Sequence, residues 1–116
     1  MISILLAEAV LQQQGRISDV INSNNDITFY GKEHEFLGTY NIYELAHKCK
    51  EWAIENDFCI ISATFKEEDG CFEDNRKQGV NYAWAELYGT EKIFRADTEP
   101  EAIFKACQWI LDEGEN

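Results

Sequence analysis

Few side chains in this sequence have the spacing that metal binding requires. His47 and Cys49 lie two residues apart in a segment of helical periodicity, so they would point about 200° apart and could not hold one ion together. His34 lies between Glu33 and Glu35 in an expected loop, where it could supply at most one ligand. We therefore expect no metal site.

The carboxylate with the most distinctive setting is Glu86, which Trp84 and Tyr88 flank on one face of an expected strand. General acid–base catalysis needs a second titratable group in a different environment, and the pattern places none beside Glu86. The phosphate-binding patterns GxGxxG and GxxxxGKS/T and the serine hydrolase pattern GxSxG are absent from the sequence. The sequence therefore predicts a protein that is not an enzyme and uses no cofactor.

A cluster of acidic residues suggests binding instead of catalysis. It lies in a polar loop of 14 residues, from Lys66 to Gly79. Its members are Glu67, Glu68, Asp69, Glu73 and Asp74. Such a cluster can imitate the phosphates of nucleic acid and attract a protein with a basic cleft. A simple solvated loop is the alternative, and Arg76 and Lys77 directly after the cluster dilute its charge.

An aromatic stripe is the second feature that suggests binding. Tyr82, Trp84 and Tyr88 share one face of the expected strand with Glu86, while Ala83 and its small neighbours occupy the other face. If helices cover only the small face, the stripe can bind a partner or a second copy of the chain. If another layer folds over the stripe, it is core. The sequence leaves both alternatives open.

The charge balance excludes two classes of partner. The chain of 116 residues has 22 acidic and 10 basic side chains, which gives a formal net charge of −12. Direct binding of nucleic acid needs clustered Lys and Arg, and an anionic membrane surface needs the same, so we expect neither. No apolar run approaches the roughly 20 residues of a membrane span. The apolar stretch 1–10 has no basic flank and no cleavage site, so we expect no secretory signal there.

Length and cysteine spacing suit a single cytoplasmic domain covering residues 1–116. Hydrophobic residues make up 45% of the chain, which is enough for one core. The cysteines are Cys49, Cys59, Cys71 and Cys107. Three of them lie in patterned apolar segments and none forms a CxxC pair, so we expect reduced thiols and a reducing compartment.

The periodicity predicts one α+β domain, in which a mostly antiparallel sheet of about five strands packs against two or three helices. The expected helices are 2–13, 42 to about 56, and a final helix capped by Thr98 and ending at Gly114. The expected strands are 17–21, 27–30, 35–40, 58–65, 80–88 and 91–96, with Gly89-Thr90 as a two-residue hairpin turn. The expected apolar stripe of the first helix consists of Leu5, Leu6, Ala9 and Val10, or alternatively includes Ala7 and Leu11.

The C-terminal third carries a family resemblance. The run from Phe94 to Ala106, FRADTEPEAIFKA, resembles the closing strand and helix of small phage and prophage proteins described as having a phage α-β-α sandwich domain. The stretch from Ile42 to Trp52 is similar to the middle helix of those proteins. The resemblance implies an origin in a mobile element, where small acidic proteins without catalytic motifs often inhibit host defence, as anti-CRISPR proteins do.

Our first hypothesis is therefore a non-enzymatic phage-type protein that binds and inhibits a host protein with a basic cleft, such as a CRISPR effector or another nuclease. The acidic cluster and the aromatic stripe with Glu86 would form the binding site. One alternative is a protein that sequesters a small molecule or a signal nucleotide, if Arg76, Lys77, Lys92 and Arg95 converge. The other is a structural accessory that forms homodimers through the aromatic stripe.

Overall fold

The computed structural model describes residues 1–66 and 81–114, which form three α-helices and six strands. The helices are α1 (Ile4–Leu11), α2 (Ile42–Glu55) and α3 (Glu99–Gly114). The strands are β1 (Asp19–Ser23), β2 (Asp26–Tyr30), β3 (Phe36–Asn41), β4 (Ile60–Lys66), β5 (Asn81–Leu87) and β6 (Ile93–Ala96). None of the helices in the described part is long and apolar enough to cross a membrane.

The strands form two antiparallel sheets of three strands, β1-β2-β3 and β4-β5-β6. The α+β class is confirmed, but the prediction of one sheet with about five strands is not matched. Each sheet consists of strands that follow one another in the sequence, as strands adjacent in sequence usually pair with each other. Helix α2 lies between β3 and β4 in the chain, and it carries the backbone from the first sheet to the second.

Side-chain caps fix where the helices begin. The Asn41 Oδ1 accepts the Tyr43 N–H at 2.9 Å at the start of α2, as its sequence predicts. The Thr98 Oγ1 accepts the Glu101 N–H at 3.4 Å at the start of α3. Helix α1 ends earlier than predicted, since Gln12 takes a left-handed conformation (φ 56°) and terminates the helix before Gly15.

The prediction for the apolar stripe of α1 is partly wrong. Leu6, Ala7 and Glu8 are buried, whereas Leu5 is 59% exposed. The Glu8 carboxylate is buried because its Oε2 accepts the Ile17 N–H at 3.0 Å and so ties α1 to the chain that leads into β1. Hydrophobic periodicity could not find this, because the position belongs to a backbone hydrogen bond made nine residues further on.

Replacing Glu8 with alanine should lower the free energy of unfolding by about 1–3 kcal/mol, because the buried Ile17 N–H loses its acceptor. Urea unfolding of the variant and the parent measures this difference. Glu33 is a carboxylate in solvent, and Glu33→Ala is the control, with an expected change within about 0.5 kcal/mol. Equal midpoints for Glu8→Ala and Glu33→Ala would show that the buried hydrogen bond contributes nothing.

The helices cover one face of the β4-β5-β6 sheet. Ala83, Ala85 and Leu87 of β5 have no exposed surface and pack with Ala102 and Ala106 of α3, which are also fully buried. Small residues on both sides allow the helix to approach the sheet closely. The prediction that the small face of this strand lies under a helix is therefore confirmed.

The register of the β5–β6 hairpin is also as predicted. Ala85 pairs with Phe94 and Glu86 with Ile93, as the prediction requires. The turn itself differs from the predicted Gly89-Thr90 turn, because the Thr90 N–H donates to the Leu87 carbonyl oxygen at 3.0 Å and so makes Tyr88 and Gly89 the central residues. Gly89 has φ 84°, a conformation that side chains with a Cβ rarely adopt. Phe94 consequently lies on the helix side of the sheet and packs against the core.

Both sheets contribute to one hydrophobic cluster. Ile27 and Phe29 of β2 are buried in the same cluster as Leu45 of α2 and Leu87 of β5. Helix α1 contacts α2 and α3, and α2 packs against α3. The three helices therefore connect the first sheet to the second through continuous apolar packing.

Candidate functional site

The face of the β4-β5-β6 sheet that points away from α3 is the candidate site, and we call it the outer face. The side-chain alternation and the strand register place seven residues on it. They are Ile61 and Ala63 of β4, Tyr82, Trp84 and Glu86 of β5, and Ile93 and Arg95 of β6. Tyr88 follows β5 at the same face. Helix α3 packs on the opposite side of this sheet, against Ala83, Ala85 and Leu87.

Exposure varies strongly among these residues. Tyr88 is 69% exposed, Ile93 is 54% exposed and Ile61 is 40% exposed, whereas Trp84 and Glu86 are half-buried. Large apolar side chains that are exposed next to each other mark interaction surfaces more often than isolated ones do. The outer face therefore offers apolar area to a partner along all three strands.

Tyr82 differs from the other members of the aromatic stripe, because it is only 1% exposed. The Arg95 guanidinium carbon lies 6.0 Å from the centre of its ring, within the range of a cation–π contact. A shallow cavity of about 190 Å³ lies beside this contact and is lined by Tyr82, Trp84, Glu86, Ile93 and Arg95. Tyr82 therefore lies on the outer face but adds almost no exposed surface to it, and the exposed surface belongs to its neighbours.

The outer face carries two charges in the described residues, the Glu86 carboxylate and the Arg95 guanidinium, and is locally neutral. Glu86 lies opposite Ile93, and Arg95 lies opposite Trp84, so each charge sits beside an apolar side chain. In a chain with a net charge of −12, such a neutral patch lowers the electrostatic cost of bringing another protein close to the surface.

The acidic cluster of residues 67–74 lies outside the described residues. Its attachment points are defined, because Lys66 and Asn81 are partners in the β4–β5 register. The segment 67–80 therefore leaves and re-enters the sheet at one end, next to the Tyr82 end of the outer face. Glu67, Glu68, Asp69, Glu73 and Asp74 remain candidate binding residues on the sequence alone.

Of the four basic residues proposed for a nucleotide pocket, the structure describes Lys92 and Arg95, and these two make different contacts. The Lys92 Nζ lies 5.7 Å from the centre of the Trp109 ring on α3, on the helix side of the sheet. Arg95 lies on the outer face, so the sheet separates it from Lys92. Arg76 and Lys77 are outside the described residues. In this structure Lys92 and Arg95 therefore contact different rings and are not brought together.

The described residues contain no group of three or more His, Cys, Asp and Glu side chains that could hold a metal ion. His47 is exposed, and its Nε2 lies 3.8 Å from a Glu51 carboxylate oxygen one helical turn away. Glu33, His34 and Glu35 are all exposed. These side chains form an ordinary solvated surface.

Two of the cysteines form a buried pair between α2 and α3. The Cys107 thiol lies 3.5 Å from the Cys49 carbonyl oxygen, to which it donates a hydrogen bond. Hydrogen bonding with the Cys107 side chain, together with burial, raises the pKa of Cys49 well above its usual range. A thiol with a raised pKa is a poor nucleophile, so Cys49 is a poor candidate for a reactive cysteine. Cys59 is exposed and free.

Sequence reasoning missed Ile61, Ile93 and Arg95 as members of the site. These residues can be assigned to the outer face only when β5 is paired with both neighbouring strands in the correct register. For β6, the expected turn at Gly89-Thr90 was enough to predict that register. No comparable signal existed for β4, since its connection to β5 is long. Comparison of the chain with protein-family models, curated proteins and solved structures found no match.

Proposed function

We propose that this protein is a non-enzymatic, phage-type binding protein that acts in the host cytoplasm, where it occupies and inhibits a host protein that handles nucleic acid. The observation that carries the proposal is the outer face, whose apolar side chains Ile61, Tyr88 and Ile93 are exposed, while α3 packs against the opposite face of the sheet. The family resemblance of residues 94–106 supports the phage-type assignment.

The net charge supports the choice of a basic partner. A surface that carries −12 accelerates its encounter with a positively charged cleft and slows its encounter with an acidic protein. The segment that contains the acids of residues 67–74 is joined to the sheet at the Lys66 and Asn81 positions, which are partners in the β4–β5 register. We therefore propose that the acidic cluster attracts the partner protein and that the outer face holds it once it is bound.

Capture from a bacterial lysate tests the proposal at its first step. The immobilised protein should retain a nuclease or another nucleic-acid-binding protein at low salt and release it as ionic strength rises. Addition of the protein should then inhibit the captured enzyme on its nucleic-acid substrate. Retention of no such protein, or a complex indifferent to salt, would contradict the proposed partner class.

Neutralising three acids of the cluster should slow association with the captured partner by about tenfold, while dissociation changes little, since exposed charges act mainly on the encounter. The variant is Glu67→Gln, Glu68→Gln and Asp69→Asn in one chain, and surface plasmon resonance separates the two rates. The matched control neutralises Glu33, Glu51 and Glu113, which are exposed acids elsewhere on the chain. Equal slowing in both variants would show that net charge acts without a site.

Self-association through the outer face is the second candidate, and the pairing of charges on that face favours it. Glu86 and Arg95 lie on the same surface, so a two-fold arrangement can place each carboxylate beside the partner copy's guanidinium. Light scattering that shows a dimer, and a monomer on Ile93→Lys, would favour this candidate over a host partner at the same face.

A further inference from the structure

The outer edge of β4 is the longest unpaired strand edge in the part of the chain that the structure describes. The Tyr88 N–H donates to the Cys59 carbonyl oxygen at 2.9 Å, which fixes the alternation of hydrogen bonds along β4. Odd-numbered residues of β4 therefore bond β5. The even-numbered Ile60, Ser62 and Thr64 direct their backbone N–H and C=O groups away from the sheet.

The only charged residue of β4 is Lys66 at its end, and the rest of the strand has none of the devices that protect an edge. Residues 60–65 contain no charged side chain, no proline and no glycine, and their pairing with β5 has no register shift. The other edge strands are protected in the ways that natural sheets use. Strand β1 begins with the charged Asp19, β6 is four residues long and contains Arg95, and β3 contains Gly38 and pairs across a register shift.

A cavity of about 160 Å³ adjoins the edge between α2 and the start of α3. Its apolar lining comes from Ala46, Pro100 and Ile103, and its polar lining comes from Tyr43, His47, Lys50 and Glu99. The Glu99 carboxylate accepts a hydrogen bond from the Ser62 hydroxyl at 2.7 Å, so the cavity and the β4 edge are directly connected. An extended chain paired with β4 would place every second side chain on the helix side of the sheet, which is also the side of this cavity.

We propose that the β4 edge and this cavity are a docking site for an extended, basic segment of a partner protein, which adds as a fourth strand beside β4. Backbone hydrogen bonds to Ser62 and Thr64 supply the pairing, and apolar side chains of the segment fill the cavity. The net charge of −12 selects a lysine-rich segment over an acidic one. This site is separate from the outer face, and the inference does not depend on the function proposed for that face.

A second copy of the chain fits the β4 edge less well than an extended segment without attached helices does. Antiparallel pairing of two β4 strands would bring two chains of charge −12 together. It would also place both α2 helices on one side of the joined sheet and next to the two-fold axis, because α2 packs beside α3 and contacts β4. Packed helices need about 8–10 Å between their axes. A segment without a helical layer avoids both conflicts.

The test uses the full chain and an acetylated, amidated peptide of alternating lysine and valine, KVKVKVK, as the probe. The peptide should bind, and the amide protons of Ser62 and Thr64 should become protected from exchange in NMR spectra. Thr64→Pro removes one outward N–H donor at a position where an edge strand tolerates proline, and it should weaken binding at least about tenfold. Thr64→Val keeps the donor and is the matched control, with an affinity expected within about twofold of the parent.

Four results would overturn the proposal. They are the absence of binding at roughly 1 mM peptide, exchange protection on the outer face instead of β4, equal affinities for Thr64→Pro and Thr64→Val, and a free protein that is already a dimer with protected β4 amides. The acidic peptide EVEVEVE checks the charge preference. Binding of EVEVEVE as tight as that of KVKVKVK would overturn the assignment of a basic segment.

Discussion

Replacing Phe29 with alanine should lower the free energy of unfolding by about 3–5 kcal/mol, a large part of the total stability of a domain of this size. Phe29 is 1% exposed in β2, and its ring centre lies 6.0 Å from that of Tyr40. The loss should appear throughout the chain, because Phe29 belongs to the cluster that also contains residues of α2 and β5. Urea unfolding followed by tryptophan fluorescence measures it, since all three tryptophans lie outside the first sheet.

Phe36→Ala is the control for this prediction. Phe36 is 63% exposed on the same sheet and meets Tyr30 edge to face, with ring centres 6.2 Å apart. Its loss should cost about 0.5–1.5 kcal/mol, the value of one aromatic pair. If Phe29→Ala melted the first sheet and left the tryptophan-reported midpoint unchanged, the two sheets would unfold separately and the chain would not be one cooperative unit.

Replacing Ala85 with leucine should lower the free energy of unfolding by about 1–3 kcal/mol or more, because β5 and α3 leave no room for a larger side chain. Ala85 has no exposed surface and faces α3. The same substitution at Ala63 is the matched control, since this residue lies on the outer face and is half-buried. We expect Ala63→Leu to change the free energy of unfolding by less than about 1 kcal/mol.

The comparison of Ala85→Leu with Ala63→Leu also tests the premise of the proposed function. If both substitutions were equally destabilising, the two faces of the β4-β5-β6 sheet would be packed to the same density. The outer face would then be part of the core and unable to receive a partner. Thermal unfolding of the two variants, measured side by side, gives the difference directly.

Local patterns in the sequence predicted most of the elements, because their causes lie within a few residues of each other. The caps at Asn41 and Thr98 and the turn at Gly89 set helix starts and a strand register through hydrogen bonds between residues two or three positions apart. The number of sheets could not be predicted in this way. It depends on which distant strands pair, and no turn joins β3 to β4.

The sequence predicted which residues of β5 form the candidate site, but it did not predict how exposed each of them is. Alternation placed Tyr82, Trp84 and Glu86 on one face correctly, because a strand has a period of two. It could not show that Tyr82 is buried while Tyr88 is exposed, since burial depends on what approaches each position from elsewhere. Glu8 shows the same limit, because its acceptor role depends on a backbone amide from the segment before β1.

The unprotected edge of β4 has a consequence for how the protein behaves in concentrated solution. Apolar strand edges without charge or proline are the segments from which aggregation starts, and here the local sequence offers no gatekeeper before Lys66. Mutual repulsion between molecules of charge −12 is what keeps these edges apart in water. Acidification removes that repulsion while leaving the edge unchanged, so colloidal stability and fold stability are separate properties of this chain.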